Sequence, residues 1–310
     1  MTDPTVAVII PCFNGRAYIE EAINSVYSQT KAAHEVIVVD DGFTDGSWEL
    51  VLKLKETRYT DLKVLCHPGR ENLGPSSSRM RGFAQTSCKY VAFLDADDIF
   101  FPRKLELQVA ALERFPKVVL CHTGVEVMGD KDLAGFFEYV SKVLPGTPYR
   151  FRSREDYLEC DEICASSVLI RAEALRNVHF AVKQLFQFED WLCLCLLAAK
   201  GDFIFLRDKL TSYRIHEKSS TYLAQGKKLM RLYALLELKL ALLARCESSW
   251  HAVRVFFYAC ETLRQIMVEY LWDPTSPGDT GRKIKLNFVV MAIMAWGKIV
   301  RSIKKLIQRE

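Results

Sequence analysis

Tyr90-Val91-Ala92-Phe93-Leu94-Asp95-Ala96-Asp97-Asp98 is the stretch whose reading decides the fold. Its first five residues carry no polar break and read as a strand buried on both faces, the habit of a parallel sheet. The run then ends in three carboxylates among four residues. In open α/β sheets, ligands bind outside the carboxyl ends of the strands, which is where these acids fall. Side chains two apart in extended chain share a face, so Asp95 and Asp97 can point at one hard cation while Asp98 turns away. Solvated acids at a strand end, or the acidic start of a helix, are the competing reading.

Working back from this strand, Val6 to Ile10 is a buried strand that stops at Pro11, which has no N–H for a ladder. Asn14-Gly15 turns the chain into a helix with apolar residues at Tyr18, Ile19, Ala22, Ile23, Val26 and Tyr27. Val36 to Val39 is a second strand ending in Asp40-Asp41-Gly42, and Asp45-Gly46-Ser47 opens a second helix. Leu62 to Cys66 is a third strand, and Ser76 to Gln85 a third helix carrying Arg79 and Arg81. Three alternations of strand and helix make βαβ units on a parallel sheet.

Working forward, Pro102 starts a helix with Leu105, Val109 and Leu112 on one face, and Val118 to Cys121 is a strand. Periodicity weakens from Gly129 to Arg152, where a long loop suits a lid or an acceptor-site wall. Ile163 to Ile170 reads as a strand, Trp191 to Ala199 as an apolar helix entered through Glu189-Asp190, and Phe203 to Leu206 as a last short strand. After Tyr213-Arg214-Ile215-His216 the character changes, with helices expected over 224–247 and 249–272. The expected division is therefore 1–220 for the main domain and 221–310 for a helical region.

These stretches resemble family 2 of the glycosyltransferases, inverting enzymes of the GT-A fold that use nucleotide-diphospho sugars. The matching residues are Val8 to Asn14, Val38 to Ser47, Asn72-Leu73-Gly74, Leu94 to Asp98 and Glu189-Asp190-Trp191, in the family's order over roughly the first 220 residues. The resemblance implies an α/β fold with a Rossmann-like, mostly parallel central sheet flanked by helices, followed here by a C-terminal helical extension. It implies a metal-dependent transfer of a hexose or related sugar, from a UDP-sugar, to a hydroxyl of a glycan or lipid-linked acceptor.

The resemblance also implies roles. Pro11, Asp41, Arg79 and Asp95 would meet the nucleotide, with Asp41 accepting a hydrogen bond from the base; its competing reading is a turn-forming Asp before Gly42. Asp97 and His216 would hold Mn²⁺ or Mg²⁺, oxygen-ligand cations suited to a diphosphate leaving group. Asp190 would be the catalytic base, with Glu189 able to exchange roles with it. An acid at a helix start is otherwise a capping or dipole interaction. Phe43 and Met80 depart from the residues common at those places in the family. The Gln-x-x-Arg-Trp motif of processive synthases is absent from the sequence, so one sugar per encounter is expected. Two rivals from other classes are a nucleotidyltransferase and a catalytically silent sugar-nucleotide-binding module.

Composition narrows the field. Among 310 residues, half are hydrophobic and about a quarter charged, ordinary for a folded protein. A net charge of +4 does not argue for nucleic acid. The ten cysteines are scattered and offer no structural zinc spacing, which suits reduced thiols in the cytoplasm. No secretory signal is expected from Met-Thr-Asp-Pro-Thr, and no apolar run reaches the roughly 18 to 20 residues of a membrane span. Phe288 to Trp296 followed by Lys298, Arg301, Lys304, Lys305 and Arg309 reads equally as a helix lying on the inner face of a membrane or as an oligomer-contact helix with a basic outer face.

Overall fold

The computed structural model describes residues 3–129, 149–152, 163–176, 178, 189–198, 200–217 and 219. All of them belong to one compact unit spanning Met1–Lys183 and Glu189–Tyr222. Of the stretch Gly129 to Arg152 expected as a loop, residues 130–148 lie outside the described residues, as do the helices beyond 222 and the basic tail, whereas Tyr149–Arg152 is a strand, held extended by antiparallel pairing. No helix among the described residues is long and apolar enough to cross a membrane.

The first half alternates as its hydrophobic pattern dictates. Strand β1 (Val6–Cys12) leads to helix α1 (Ile19–Tyr27), β2 (Glu35–Asp40) to α2 (Ser47–Thr57), and β3 (Lys63–Cys66) to α3 (Pro75–Phe83), which returns the chain to β4 (Tyr90–Phe93). The four strands are parallel in the order β3-β2-β1-β4. Register sets Cys12 beside Asp40 and Asp40 beside Cys66, so the carboxyl ends of the strands lie in one row.

The second half turns the sheet over. After the two-residue β5 (Ile99–Phe100) and helix α4 (Lys104–Arg114) come β6 (Val118–Gly129), β7 (Tyr149–Arg152), β8 (Leu169–Arg171), the short α5 (Ala172–Leu175), α6 (Glu189–Ala198) and β9 (Asp202–Ile215). Strand β8 pairs antiparallel with both β4 and β6, while β6 and β9 run parallel over a long, bulged register. Strands β6 and β9 are thus much longer than the apolar runs 118–121 and 203–206, because each continues through residues that are partly or fully exposed, 124–129 in β6 and 207–209 in β9. The expected strand over 163–170 is a 3₁₀ turn at Ala165–Ser167 and then β8. Ser167 folds that turn, donating from Oγ to the Cys164 carbonyl at 2.7 Å.

The core has a layer on each face. Val6, Val8 and Ile10 face α1 and α4 through Ile19, Ile23, Val26, Leu105 and Leu112. On the opposite face α3 lies close against β1 and β2 at Gly82, where a Cβ would stand 2.5 Å from Ile9 Cγ2 and 3.3 Å from Val39. That approach brings Arg79, one turn earlier on α3, over the end of the sheet.

A lysine is among the polar groups sealed inside. Lys104 is fully buried at the start of α4, donating to Gln108 Oε1 at 2.7 Å and to the Val168 carbonyl at 3.4 Å, with Nζ 4.1 Å from the Phe100 ring centroid. Desolvation outweighs these contacts and pulls its amine down to about 7.

Two measurements check this packing. Helix propensity alone would make Gly82→Ala stabilising by about 1 kcal/mol, but the clash with buried Ile9 should win, and urea unfolding should show a loss of about 1–3 kcal/mol. An unchanged or raised midpoint would contradict the close approach. Between about pH 7 and the ordinary lysine value the unfolded chain holds a proton on Lys104 that the folded chain lacks, so this residue makes stability rise with pH. Lys104→Met should flatten the stability profile from pH 7 to 8.5 relative to the parent, by up to about 1.4 kcal/mol per pH unit.

Candidate active site

The row of strand ends carries the acids, and the loops that leave it are tied to one another. Asn14, in a left-handed conformation at φ 50°, accepts from the Thr44 amide at 2.8 Å and the Thr44 hydroxyl at 3.1 Å. Asp45 Oδ2 accepts from the Arg16 amide at 3.0 Å. The loops after β1 and β2 therefore form one rim. Pro11 is buried within β1, opposite Val39, so its ring belongs to the sheet and only its backbone is available to a ligand at the rim.

Asp40 and Asp41 are adjacent and differ in use. Asp40 is wholly buried: Oδ1 accepts from the amides of Gly42 at 2.7 Å and Phe43 at 2.8 Å, and Oδ2 receives Arg70 Nε and Nη2 at 3.0 and 2.8 Å. The same guanidinium lies 4.3 Å from the Trp48 ring centroid. With its acceptor sites taken, Asp40 is structural. Asp41 receives the Leu73 and Gly74 amides on Oδ1 at 2.8 and 3.2 Å, and His67 Nε2 lies 3.5 Å away. Burial raises its carboxyl above the ordinary value, and the amides and His67 oppose that.

The acid turn after β4 is held from three sides. Asp98 donates its amide to the Asp95 carbonyl at 3.0 Å, closing the turn. Asp95 Oδ1 receives Arg79 Nη2 at 2.6 Å, and Arg79 is itself almost fully buried. Asp97 Oδ2 lies 3.0 Å from His216 Nε2, and the His216 ring packs on Tyr18 with centroids 4.9 Å apart. Burial and the neighbouring Asp95 charge push the Asp97 carboxyl upward, with His216 opposing.

Asp190 is the second residue of α6 and accepts the Trp191 amide at 2.8 Å. It lines one pocket with Arg79, Phe93, Val168, Ile170 and Leu194. Burial in this apolar lining raises its carboxyl, the Arg79 cation draws it back, and the Asp95 charge raises it further. Arg79 thus links Asp95 to Asp190. Asp41 stands just past the end of β2, which β1 separates from β4 in the sheet, and Asp97 pairs with His216. The side chain of Glu189 lies outside the described residues.

Sequence reasoning missed Ser166 and Arg214. Ser166 Oγ donates to Asp98 Oδ2 at 2.5 Å and accepts the Asp95 amide at 3.0 Å. Arg214 donates its amide to Asp98 Oδ1 at 2.9 Å and Nε to the Asp97 carbonyl at 2.9 Å, while Nη2 meets Glu21 at 2.5 Å. A hydroxyl pair inside the apolar run 163–170 was the available signal for Ser166. For Arg214 it was the period of two that sets Arg214 and His216 on one face of a strand.

Residues 7–178 match the family model described as Glycosyl transferase family 2. An uncharacterized glycosyltransferase of Rickettsia bellii is 38% identical over 126 residues, 41% of this chain and 17% of that protein. A second, from Rickettsia felis, is 27% identical over 227 residues, 73% of this chain and 35% of that protein. The chain thus spans a small part of the length of these two relatives. The Escherichia coli UDP-Glc:alpha-D-GlcNAc-diphosphoundecaprenol beta-1,3-glucosyltransferase WfaP is 25% identical over 214 residues, 69% of this chain and 78% of that one. Among solved structures, S. aureus TarS 1-349 in complex with UDP-GlcNAc superposes with a TM-score of 0.60 at 17% identity, over 94% of this chain and 81% of that one. The mannosyltransferase PcManGT from Pyrobaculum calidifontis in complex with GDP-Man and Mn2+ does so at 0.59 and 17% identity, over 100% and 89%. At this identity the likeness shows a shared fold, that of GT-A glycosyltransferases.

Because the Arg79 cation favours ionised Asp190, Arg79→Met should move the Asp190 titration to higher pH, followed by ¹³C carboxyl NMR. A titration that stays put or moves down would mean the two groups do not interact.

Proposed function

The chain belongs to glycosyl transferase family 2, and from that premise we propose that it moves a sugar from a UDP-sugar to an acceptor hydroxyl with inversion at the anomeric carbon. The observation that carries this reading is Arg79, ion-paired to Asp95 and lining one pocket with Asp190 at the carboxyl ends of the strands. A nucleotide-binding edge and a half-buried acid suited to proton transfer then share one cleft.

In this mechanism Asp41 accepts the imide N–H of the base, and Asp95 lies beside the ribose. Asp190 takes the proton from the acceptor hydroxyl as its oxygen bonds to the anomeric carbon, opposite the departing diphosphate. The bond to the diphosphate oxygen breaks as the new one forms, so inversion follows without a covalent enzyme intermediate. Burial gives Asp190 a raised affinity for that proton, and Arg79 keeps enough of it ionised to accept one.

Asp97 and His216 fit a divalent cation. Ligand atoms bound at about 2.1 Å and at right angles lie about 3 Å apart, which matches the 3.0 Å between Asp97 Oδ2 and His216 Nε2. Among the described residues no three His, Cys, Asp or Glu side chains form a metal-holding group. Mg²⁺ and Mn²⁺ bind through one or two protein ligands and complete their shell with substrate phosphates and water. When bound, the ion would neutralise the leaving diphosphate. The UDP donor draws support from the TarS complex with UDP-GlcNAc, and a lipid-linked acceptor from WfaP, which acts on a diphosphoundecaprenol-linked sugar.

Incubation with a panel of nucleotide sugars, with and without Mn²⁺, and mass spectrometry of the products tests the reading. A UDP-sugar should be consumed in a metal-dependent way. Asp190→Asn should lower kcat by about 10²- to 10⁴-fold with little change in donor binding. Undiminished turnover in that variant would remove Asp190 from the chemistry.

A further inference from the structure

We infer that Asp98, which points away from the cleft, is a positioning residue that locks Asp97 against His216. The inference rests on the transferase reading and adds to it a device outside the substrate's reach. Asp98 is 1% exposed. Oδ2 receives Ser166 Oγ at 2.5 Å from the turn before β8, and Oδ1 receives the Arg214 amide at 2.9 Å from the end of β9. Each partner then reaches back to the acid turn. Ser166 Oγ accepts the Asp95 amide at 3.0 Å, and Arg214 Nε donates to the Asp97 carbonyl at 2.9 Å. Two residues beyond Arg214 on the same chain stands His216, 3.0 Å from Asp97.

The chemistry says why a carboxylate occupies this place. Burying one beside Asp95 and Asp97 is costly, and a fold needing only a filled volume would take an apolar side chain instead. A carboxyl group does what an apolar group cannot: its two oxygens accept from two donors on separate elements at once. Those donors are the two that brace Asp95 and Asp97. Lys104 and Gln108 anchor the turn before β8 that carries Ser166, Gln108 Nε2 donating to the Ser167 carbonyl at 2.9 Å and Lys104 Nζ to the Val168 carbonyl at 3.4 Å. The separation of Asp97 and His216, on which the divalent-cation fit depends, is therefore set by a group that touches neither substrate nor ion.

Electron paramagnetic resonance of Mn²⁺ titrated into the full chain with UDP reads this without turnover, and circular dichroism reports the fold. Asp98→Ala should weaken Mn²⁺–UDP binding about ten- to hundredfold, and Asp98→Asn, which keeps one of the two acceptor oxygens, should recover only part of the affinity. Ser166→Ala, which keeps the buried carboxylate, should fall between parent and Asp98→Ala and carries the test if Asp98→Ala does not fold. Because Asp98 acts through Asp97, Asp98→Ala added to Asp97→Asn should cost little beyond Asp97→Asn alone. Parent-like affinity in folded Asp98→Ala and Ser166→Ala would overturn the inference, as would losses that multiply in the double variant. A parent that binds no Mn²⁺–UDP would sink the metal-dependent transferase reading and this inference with it, whereas multiplying losses on a binding parent sink this inference alone.

Discussion

Carboxylates gathered at the ends of β2 and β4, on either side of β1, repel one another, and the site's structure follows from how that repulsion is met. The cations are few and individually placed. Arg79 is buried against Asp95, and Arg70 grips Asp40 with two nitrogens. The remainder is met by neutral donors: the amides of Gly42, Phe43, Leu73, Gly74 and Arg214, and the Ser166 hydroxyl. Oriented amides stabilise negative charge without adding a full opposite charge, so the cleft stays able to receive a cation.

This division of labour separates acids that look alike. Asp40 is saturated and belongs to the frame, while Asp41 beside it keeps a polar neighbourhood and a raised carboxyl. Asp98 turns inward and braces the turn whose other acids face outward. Asp190 is set apart by its lining, a largely apolar pocket tempered by one guanidinium.

Much of this was legible before any coordinates. Unbroken apolar runs such as Val6–Ile10 and Val36–Val39 fill both faces of a strand, and a helical period between them leaves few topologies besides a parallel sheet. The acids at 40–41 and 95–98 stand at strand ends simply because the apolar runs stop there. The second half was less legible. Strands β6 and β9 continue through polar residues that pairing, not hydrophobicity, keeps extended, and the hydroxyls of 166 and 167 turn a run that reads as a strand.

The sequence by itself determined the alternation of strand and helix, the edge where the acids gather, and the acid and histidine types that gather there. Tertiary structure alone decided which acid braces and which faces the cleft, that a serine and an arginine hold the turn, and that a lysine is sealed beneath it. The reason is range. Periodicity records what a residue does within a few neighbours along the chain, whereas Asp98 meets Ser166 and Arg214 across 68 and 116 residues, and Asp97 meets His216 across 119. Contacts that distant leave no local pattern, and they exist only once β4, β8 and β9 lie in one sheet.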